Sequence, residues 1–146
     1  MPTWVSAGRS IAVNSASNRD RGYHMYADHT ILQTVGQLLI AFLFLATGLI
    51  NVTTKFKQHL DRMVAIGVPF ARFALILGFA MQLVGGTLVA LDYQRSFGAG
   101  ILIVFTVAAT AIFHQYWRVE DPLRRHLHFS NIFSNCGLIG GLLLLV

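Results

Sequence analysis

The chain alternates long apolar blocks with short charged connections. Four blocks of about twenty residues contain no Asp, Glu, Lys or Arg, and they cover roughly residues 31–52, 73–91, 98–117 and 127–146. Because an α-helix rises about 1.5 Å per residue, each block is long enough to cross a hydrocarbon core of about 30 Å. The strands of a membrane barrel would instead alternate with a period of two over shorter segments. The pattern predicts an all-α integral membrane four-helix bundle and disfavours a soluble bundle, whose helices would each need a polar face.

Residues 1–30 differ from the rest of the chain, residues 31–146, and form a polar N-terminal tail. They are rich in Ser, Asn and Arg and contain no apolar run of the length found in a secretory signal peptide. A tail of this composition is expected to lack fixed structure when alone. We therefore expect it to dock on a partner outside the membrane.

The longest connection, residues 53–72, has apolar side chains at near-helical spacing, including Phe56, Leu60 and Met63. Charged side chains alternate with them. This pattern is typical of a short amphipathic helix that lies in the membrane interface between spans 1 and 2, and the Gly-Val-Pro at residues 67–69 would end it. A plain polar loop is the alternative.

The composition narrows the class of protein. Apolar residues make up 55% of the 146 residues and charged residues 12%, whereas typical soluble domains contain about 25% charged residues. These values disfavour a soluble globule and exclude a disordered chain. The single cysteine, Cys136, excludes a disulfide scaffold and a thiolate zinc cluster.

The charged residues lie between the apolar blocks, so the net charge of +5 is better explained by a membrane protein than by a nucleic-acid-binding protein. The first and third connections carry seven Lys and Arg residues, whereas the tail and the second connection carry four. Because cations concentrate in cytoplasmic loops, we expect both termini on the periplasmic side of a bacterial inner membrane.

Polar side chains inside the blocks are the strongest indication of a site, since each is costly in lipid. Four are candidates for a pocket that holds a quinone or a structural lipid: Asn51, Gln82, His114 and Asn135. In this interpretation His114 donates a hydrogen bond to a carbonyl. The alternative is hydrogen bonding between helices, worth about 0.6 kcal/mol per bond. The blocks hold no carboxylate, and the spacing of the histidines predicts neither haem nor another metal site.

Glycines mark two candidate points of close helix contact. Gly137 and Gly141 are four residues apart, and Gly85 and Gly86 are adjacent in the second block. Small residues at such positions let the backbones of membrane helices approach. We expect these glycines to pack within the bundle, and contact with another subunit is the alternative.

Four features occur in a characteristic order and spacing: LFLATGLIN, GVPFARFALILGFAMQLVGG, a histidine at the end of the third block, and NCGLIGGLLLL. Together they resemble the DoxX family of small bacterial four-helix membrane proteins, over about residues 37–146. The matching positions are Gly67, Pro69, His114, Asn135, Gly140 and Gly141.

The resemblance implies a setting among oxidoreductase systems, such as thiosulfate:quinone oxidoreductase and complexes that handle thiol or superoxide stress. The chain departs from the family at two positions. Asn51 stands where the family commonly has Lys, and Gln82 stands where it commonly has Glu. Replacing both charged residues by amides keeps hydrogen bonding and leaves no unpaired charge inside the bundle. A reaction that depends on those two charged residues is therefore not expected in this chain.

Two main hypotheses follow. The first is a non-catalytic accessory subunit of a larger electron-transfer complex, in contact with lipids and partner transmembrane helices and bordering a quinone or lipid site. The second is a quinone-reactive oxidoreductase subunit of DoxX type, linked to thiosulfate or thiols. A small-solute transporter is a weaker third hypothesis, because four helices alone offer no evident pathway. We expect no catalytic residue, no firmly bound cofactor and no nucleic-acid partner.

Overall fold

The computed structural model describes Tyr26 and residues 29–146, and this part of the chain is helical without any strand. It contains five α-helices: α1 (Ile31–Ile50), α2 (Phe56–Ala65), α3 (Ala71–Ala90), α4 (Arg95–Phe113) and α5 (Pro122–Leu143). A π-helical turn, Asn51–Lys55, joins α1 to α2, and a 3₁₀ turn, Tyr116–Arg118, precedes α5. The predictions for the tail, residues 1–30, lie almost wholly outside the described residues.

Local sequence sets the ends of the helices. Thr30 and Gln33 form a capping box at the start of α1, in which Gln33 Oε1 accepts from the Thr30 amide at 2.9 Å. At the start of α5, Asp121 accepts a backbone hydrogen bond of 2.7 Å and Pro122 occupies the first turn. Between α2 and α3 the chain turns at Gly67, whose φ of 79° favours a residue without a Cβ.

The short helix predicted between the first two spans is present as α2, but it continues α1 rather than standing apart. The π-helical turn lets the two run as one helix over Ile31–Ala65. Met63 of α2 is buried against Leu75 and Phe79 of α3, and Phe56 covers the edge of this cluster. The apolar spacing that predicted a helix therefore forms the face that packs on α3. The position of α2 in a membrane interface stays a prediction.

Helix α3 lies at the centre of the fold, between α1 on one side and α4 on the other, and α5 packs mainly against α4. One core cluster joins Phe44 of α1, Val89 of α3 and Leu142 of α5, all of them buried. Contact between α1 and α5 is slight. It includes Gly141, where an added Cβ would lie 3.2 Å from Ile40 Cδ1. Helices α1 and α5 are therefore in contact along only a short stretch.

Within residues 29–146, three helices are long and apolar enough to cross a membrane: Ile31–Ala65, Ala71–Ala90 and Arg95–Arg118. Helix α5 has 22 residues but is not among them. It begins at Pro122, before the fourth apolar block, and its first turns carry Arg124, Arg125 and two histidines. The helical fold is confirmed, with three helices of membrane length, and the fourth span stays a prediction.

The two groups of glycines differ in their surroundings. Gly85 and Gly86 are buried between helices, as predicted. In the other group Gly141 faces α1, whereas a Cβ on Gly137 or on Gly140 would meet nothing within 4 Å in the described structure. Internal packing is therefore confirmed for Gly85, Gly86 and Gly141. For Gly137 and Gly140 it stays a prediction, because no described residue packs against them.

Candidate functional site

Gln82 lies in the interface between α1 and α3 and is 4% exposed. Its Nε2 donates to the carbonyl oxygen of Phe44 at 3.0 Å and to the hydroxyl of Thr47 at 2.9 Å. Gly48 makes room for it, since a Cβ there would lie 3.1 Å from Gln82 Cδ. Gln82 Oε1 is buried without a hydrogen-bond partner among the described residues. The amide thus ties α3 to α1 and leaves one buried acceptor unsatisfied.

Asn51, like Gln82, is an amide at a position where the family commonly has a charged residue. It is half-buried and begins the π-helical turn. It lies three residues beyond Gly48, which packs against Gln82, so it is about 4.5 Å further along the helix axis. The hydrogen bonds of Gln82 go instead to Phe44 and Thr47, which precede Gly48. The two amides therefore lie at neighbouring levels of the bundle, and no hydrogen bond between described atoms joins them.

His114 directly follows α4 and contacts His128 of α5, with 3.4 Å between their Nδ1 atoms. Both residues are half-buried, and their ring centroids are 5.6 Å apart. A hydrogen bond at this contact requires one Nδ1 to carry a hydrogen and the other to accept it. Arg62 of α2 donates to the carbonyl oxygen of Phe113 at 2.8 Å, which places a permanent cation at the same end of the bundle.

Asn135 lies two turns beyond His128 on α5 and belongs to the same seam between α4 and α5. Its Nδ2 donates to Thr110 Oγ1 at 2.8 Å, and Thr110 Oγ1 donates to the carbonyl oxygen of Thr106 at 2.6 Å. The first bond joins α5 to α4, and the second joins the Thr110 side chain to the backbone of α4. The polar side chains of α4 and α5 therefore form a hydrogen-bonded seam.

The structure separates the four predicted residues into two groups. His114 and Asn135 lie in the α4–α5 seam, whereas Gln82 and Asn51 lie on the α1 side of the bundle. Two cavities occur elsewhere: an apolar groove of about 800 Å³ between α2 and the start of α3, and a polar cavity of about 520 Å³ at the opposite end. None of the four residues lines either cavity. Among the described residues, no three metal-ligand side chains come together.

Asp92, in the turn between α3 and α4, is not among the predicted site residues, yet it is the centre of a polar network. Its Oδ1 accepts from Gln37 Nε2 at 3.0 Å, and its Oδ2 accepts from the Tyr26 amide at 3.3 Å. Arg95 lies 3.7 Å from Oδ1, and His29 Nε2 lies 3.9 Å from Oδ2. The φ of 52° at Asp92 is a left-handed conformation that Asp adopts more readily than most residues.

The network holds Asp92 in its ionised form. Burial raises the pKa of this carboxyl, but hydrogen bonds from Gln37 and Tyr26 and the charges of His29 and Arg95 together bring the pKa below its ordinary value. Sequence spacing could not reveal the network. Gln37 stands out as a polar residue in an apolar block, but its partner lies 55 positions away, in a turn where an aspartate is unremarkable.

Comparison with known proteins places the chain in a family. The DoxX family model matches residues 32–115, more than half of the chain. The match begins in α1 and ends just after His114, so the resemblance seen in the NCGLIGG segment of α5 lies outside it. No curated protein and no solved structure matches the chain. With its three apolar helices of membrane length, the chain belongs to the DoxX family of membrane proteins.

Proposed function

We propose that this protein is a non-catalytic integral membrane subunit of a larger electron-transfer complex, in which α5 packs against a transmembrane helix of a partner. The observation that carries the proposal is the uncovered face of α5. Among the described residues, nothing lies within 4 Å of where a Cβ on Gly137 or Gly140 would be, and Asn131 and Ser134 are exposed on the same helix. Polar groups that face lipid are costly, and small residues let a second helix approach closely.

The loose attachment of α5 supports the same proposal. Of its residues only Leu142 is fully buried, and its contact with α1 is slight. Polar side chains of the other spans form hydrogen bonds inside the bundle: Gln82 of α3 bonds to α1, and Thr110 of α4 bonds to Asn135 of α5. This use favours a packing role for them over a catalytic one. The electron-transfer setting rests on the family resemblance, and the inner-membrane location with periplasmic termini rests on the cation distribution.

Purification in a gentle detergent, followed by native mass measurement, tests the proposal. We expect a second, different chain in fixed stoichiometry. Replacing Gly137 by Leu should release that chain, because the larger side chain keeps the partner helix away. Gly100→Leu on α4 is the matched control, since Gly100 also has open space around it, and this variant should keep the partner. A lone 16.1 kDa monomer, or an assembly of identical chains only, would contradict the proposal.

A second candidate is a quinone-reactive oxidoreductase subunit of DoxX type, linked to thiosulfate or thiols. The half-buried pair of His114 and His128 supports it, because an imidazole N–H can donate to a quinone carbonyl. Gln82, Asn135 and Asn51 would contribute further polar contacts. His114→Ala should then lower quinone reduction by the purified complex by about 10²-fold, as is usual when a positioned donor is removed. An unchanged rate would contradict this second candidate and favour the accessory role.

A further inference from the structure

The polar cavity of about 520 Å³ lies at the end of the bundle where α1 and α4 begin and α5 ends. Its volume falls within the range of small-molecule sites, about 300–1,000 Å³. Most of the lining is polar, and the apolar part comes from Leu144 and Leu145. Leu144 is 87% exposed. The cavity therefore joins buried polar groups to an apolar surface suited to an acyl chain.

In the part of the chain that the structure describes, the carboxylate and the guanidinium that line the cavity offset each other. The Asp92 carboxylate lies 3.7 Å from the Arg95 guanidinium. Arg95 also donates to His29 Nε2, so Nδ1 is the nitrogen of this ring that can donate to a ligand. An ionic ligand would have to enter without a countercharge, which is costly away from water, so the lining favours a neutral ligand.

The lining offers both an acceptor and donors that lack partners. Gln37 is 1% exposed, and its Oε1 accepts no hydrogen bond from any described residue. The orientation of this amide is set because Nε2 donates to two acceptors, the Val89 carbonyl at 2.8 Å and the Asp92 carboxylate at 3.0 Å. His29 Nδ1 likewise has no partner in the described part of the chain. Gln33 uses Oε1 for the α1 cap, and its NH₂ group is a further donor beside the cavity.

We propose that this cavity binds the hydroxylated head group of a neutral glycerolipid. A hydroxyl both donates and accepts, so a glycerol group matches a lining in which one acceptor, Gln37 Oε1, and one ring nitrogen, His29 Nδ1, have no partner among the described residues. A carbonyl group only accepts and an ammonium group only donates, so each would leave one side of the lining unpaired. The exposed Leu144 at the edge favours a lipid over free glycerol, because an acyl chain can remain in the bilayer. The site is separate from the uncovered face of α5, so this proposal and the proposed function can fail independently.

Native mass spectrometry in lauryldimethylamine oxide, a detergent without hydroxyl groups, tests the proposal. The probes are monoolein and methyl oleate, which have the same acyl chain and differ in the two free hydroxyls of glycerol. We expect one monoolein to bind each chain in a saturable way, and methyl oleate to bind roughly tenfold more weakly or not at all. Free glycerol at the same concentration should not displace monoolein. Displacement by glycerol would show that the ligand is a free polyol and would overturn the assignment to a lipid.

A variant locates the binding. Ser96 lines the cavity and is exposed, so Ser96→Phe fills the space without removing Asp92 or Gln37, and it should weaken monoolein binding by roughly tenfold. Thr87→Phe, at an exposed position of α3 that does not line the cavity, is the control and should bind normally. Unchanged binding by a folded Ser96→Phe would overturn the proposal. Equal binding of the two lipids by the wild-type chain would also overturn it, whether or not the variant folds.

Discussion

Gly85 of α3 and Gly98 of α4 face each other, so that a side chain on either residue would meet the backbone of the other. A Cβ on Gly85 would lie 3.0 Å from the Gly98 carbonyl oxygen, and a Cβ on Gly98 would lie 3.1 Å from the Gly85 carbonyl oxygen. Each also meets a leucine at 2.8 Å, Leu102 Cγ for Gly85 and Leu88 Cβ for Gly98. Membrane helices approach this closely where no side chain intervenes, so the two glycines set the distance between α3 and α4.

Gly98→Ala should therefore lower the melting temperature of the purified protein. Its methyl group would meet a backbone oxygen and the Cβ of Leu88, which cannot move without shifting a helix, and such overpacking costs about 1–3 kcal/mol. Gly100→Ala in the same helix is the control, because a Cβ there meets nothing within 4 Å in the described structure, and it should be neutral or stabilising by up to about 1 kcal/mol. Thermal unfolding in one detergent compares them, and equal melting temperatures would contradict the packing argument.

Gln82 and Thr47 should be energetically coupled, because the Gln82 amide donates to the Thr47 hydroxyl at 2.9 Å. A double-mutant cycle with Gln82→Met and Thr47→Val should give a coupling of about 0.6 kcal/mol, the average for hydrogen bonds between membrane helices. The measurement is the free energy of unfolding of the four proteins in detergent. Gln58→Met, at an exposed position of α2, replaces Gln82→Met in a control cycle that should show no coupling. A coupling of zero for Gln82 would mean that the bond contributes nothing.

Asp92 should make the protein less stable in acid. Its pKa in the folded state is below the ordinary value, so the fold favours the ionised form. This contribution is complete above about pH 4, the pKa of an unfolded Asp, and is lost as the pH falls through the lower folded pKa. Melting temperatures measured from about pH 6 to about pH 3 should therefore fall more for the wild type than for Asp92→Asn. Asp61→Asn removes an exposed carboxylate and should behave like the wild type. Identical acid sensitivity of Asp92→Asn and wild type would exclude this role.

Thiol labelling should show whether α5 crosses the membrane. In a Cys136→Ser background, single cysteines replace Tyr93 between α3 and α4, Glu120 before α5, and Leu144 after it. If α5 spans, an impermeant reagent applied to whole cells should label the cysteines at positions 93 and 144 and leave position 120 unlabelled, in line with periplasmic termini. Labelling of position 144 together with position 120 would mean that α5 does not cross.

Much of the helical architecture could be predicted because it depends on neighbouring residues. The second apolar block was expected at about residues 73–91, and α3 is Ala71–Ala90. The cap at Thr30 and the turn at Gly67 depend equally on local chemistry. The candidate site was less predictable. Gln82 and Asn135 were recognised as costly polar groups, but spacing did not reveal that they bond to different helices.

By itself, the sequence determined that the chain is helical and apolar, roughly where most of its helices lie, and its family, because these properties depend on composition and on residues within a few turns. Only the tertiary structure decided which polar groups meet and which glycines are covered. Gln37 reaches Asp92 across 55 positions, and Gly141 faces α1 while Gly137 faces outwards. Such contacts depend on the rotation and spacing of packed helices, which are set by all the side chains of an interface together.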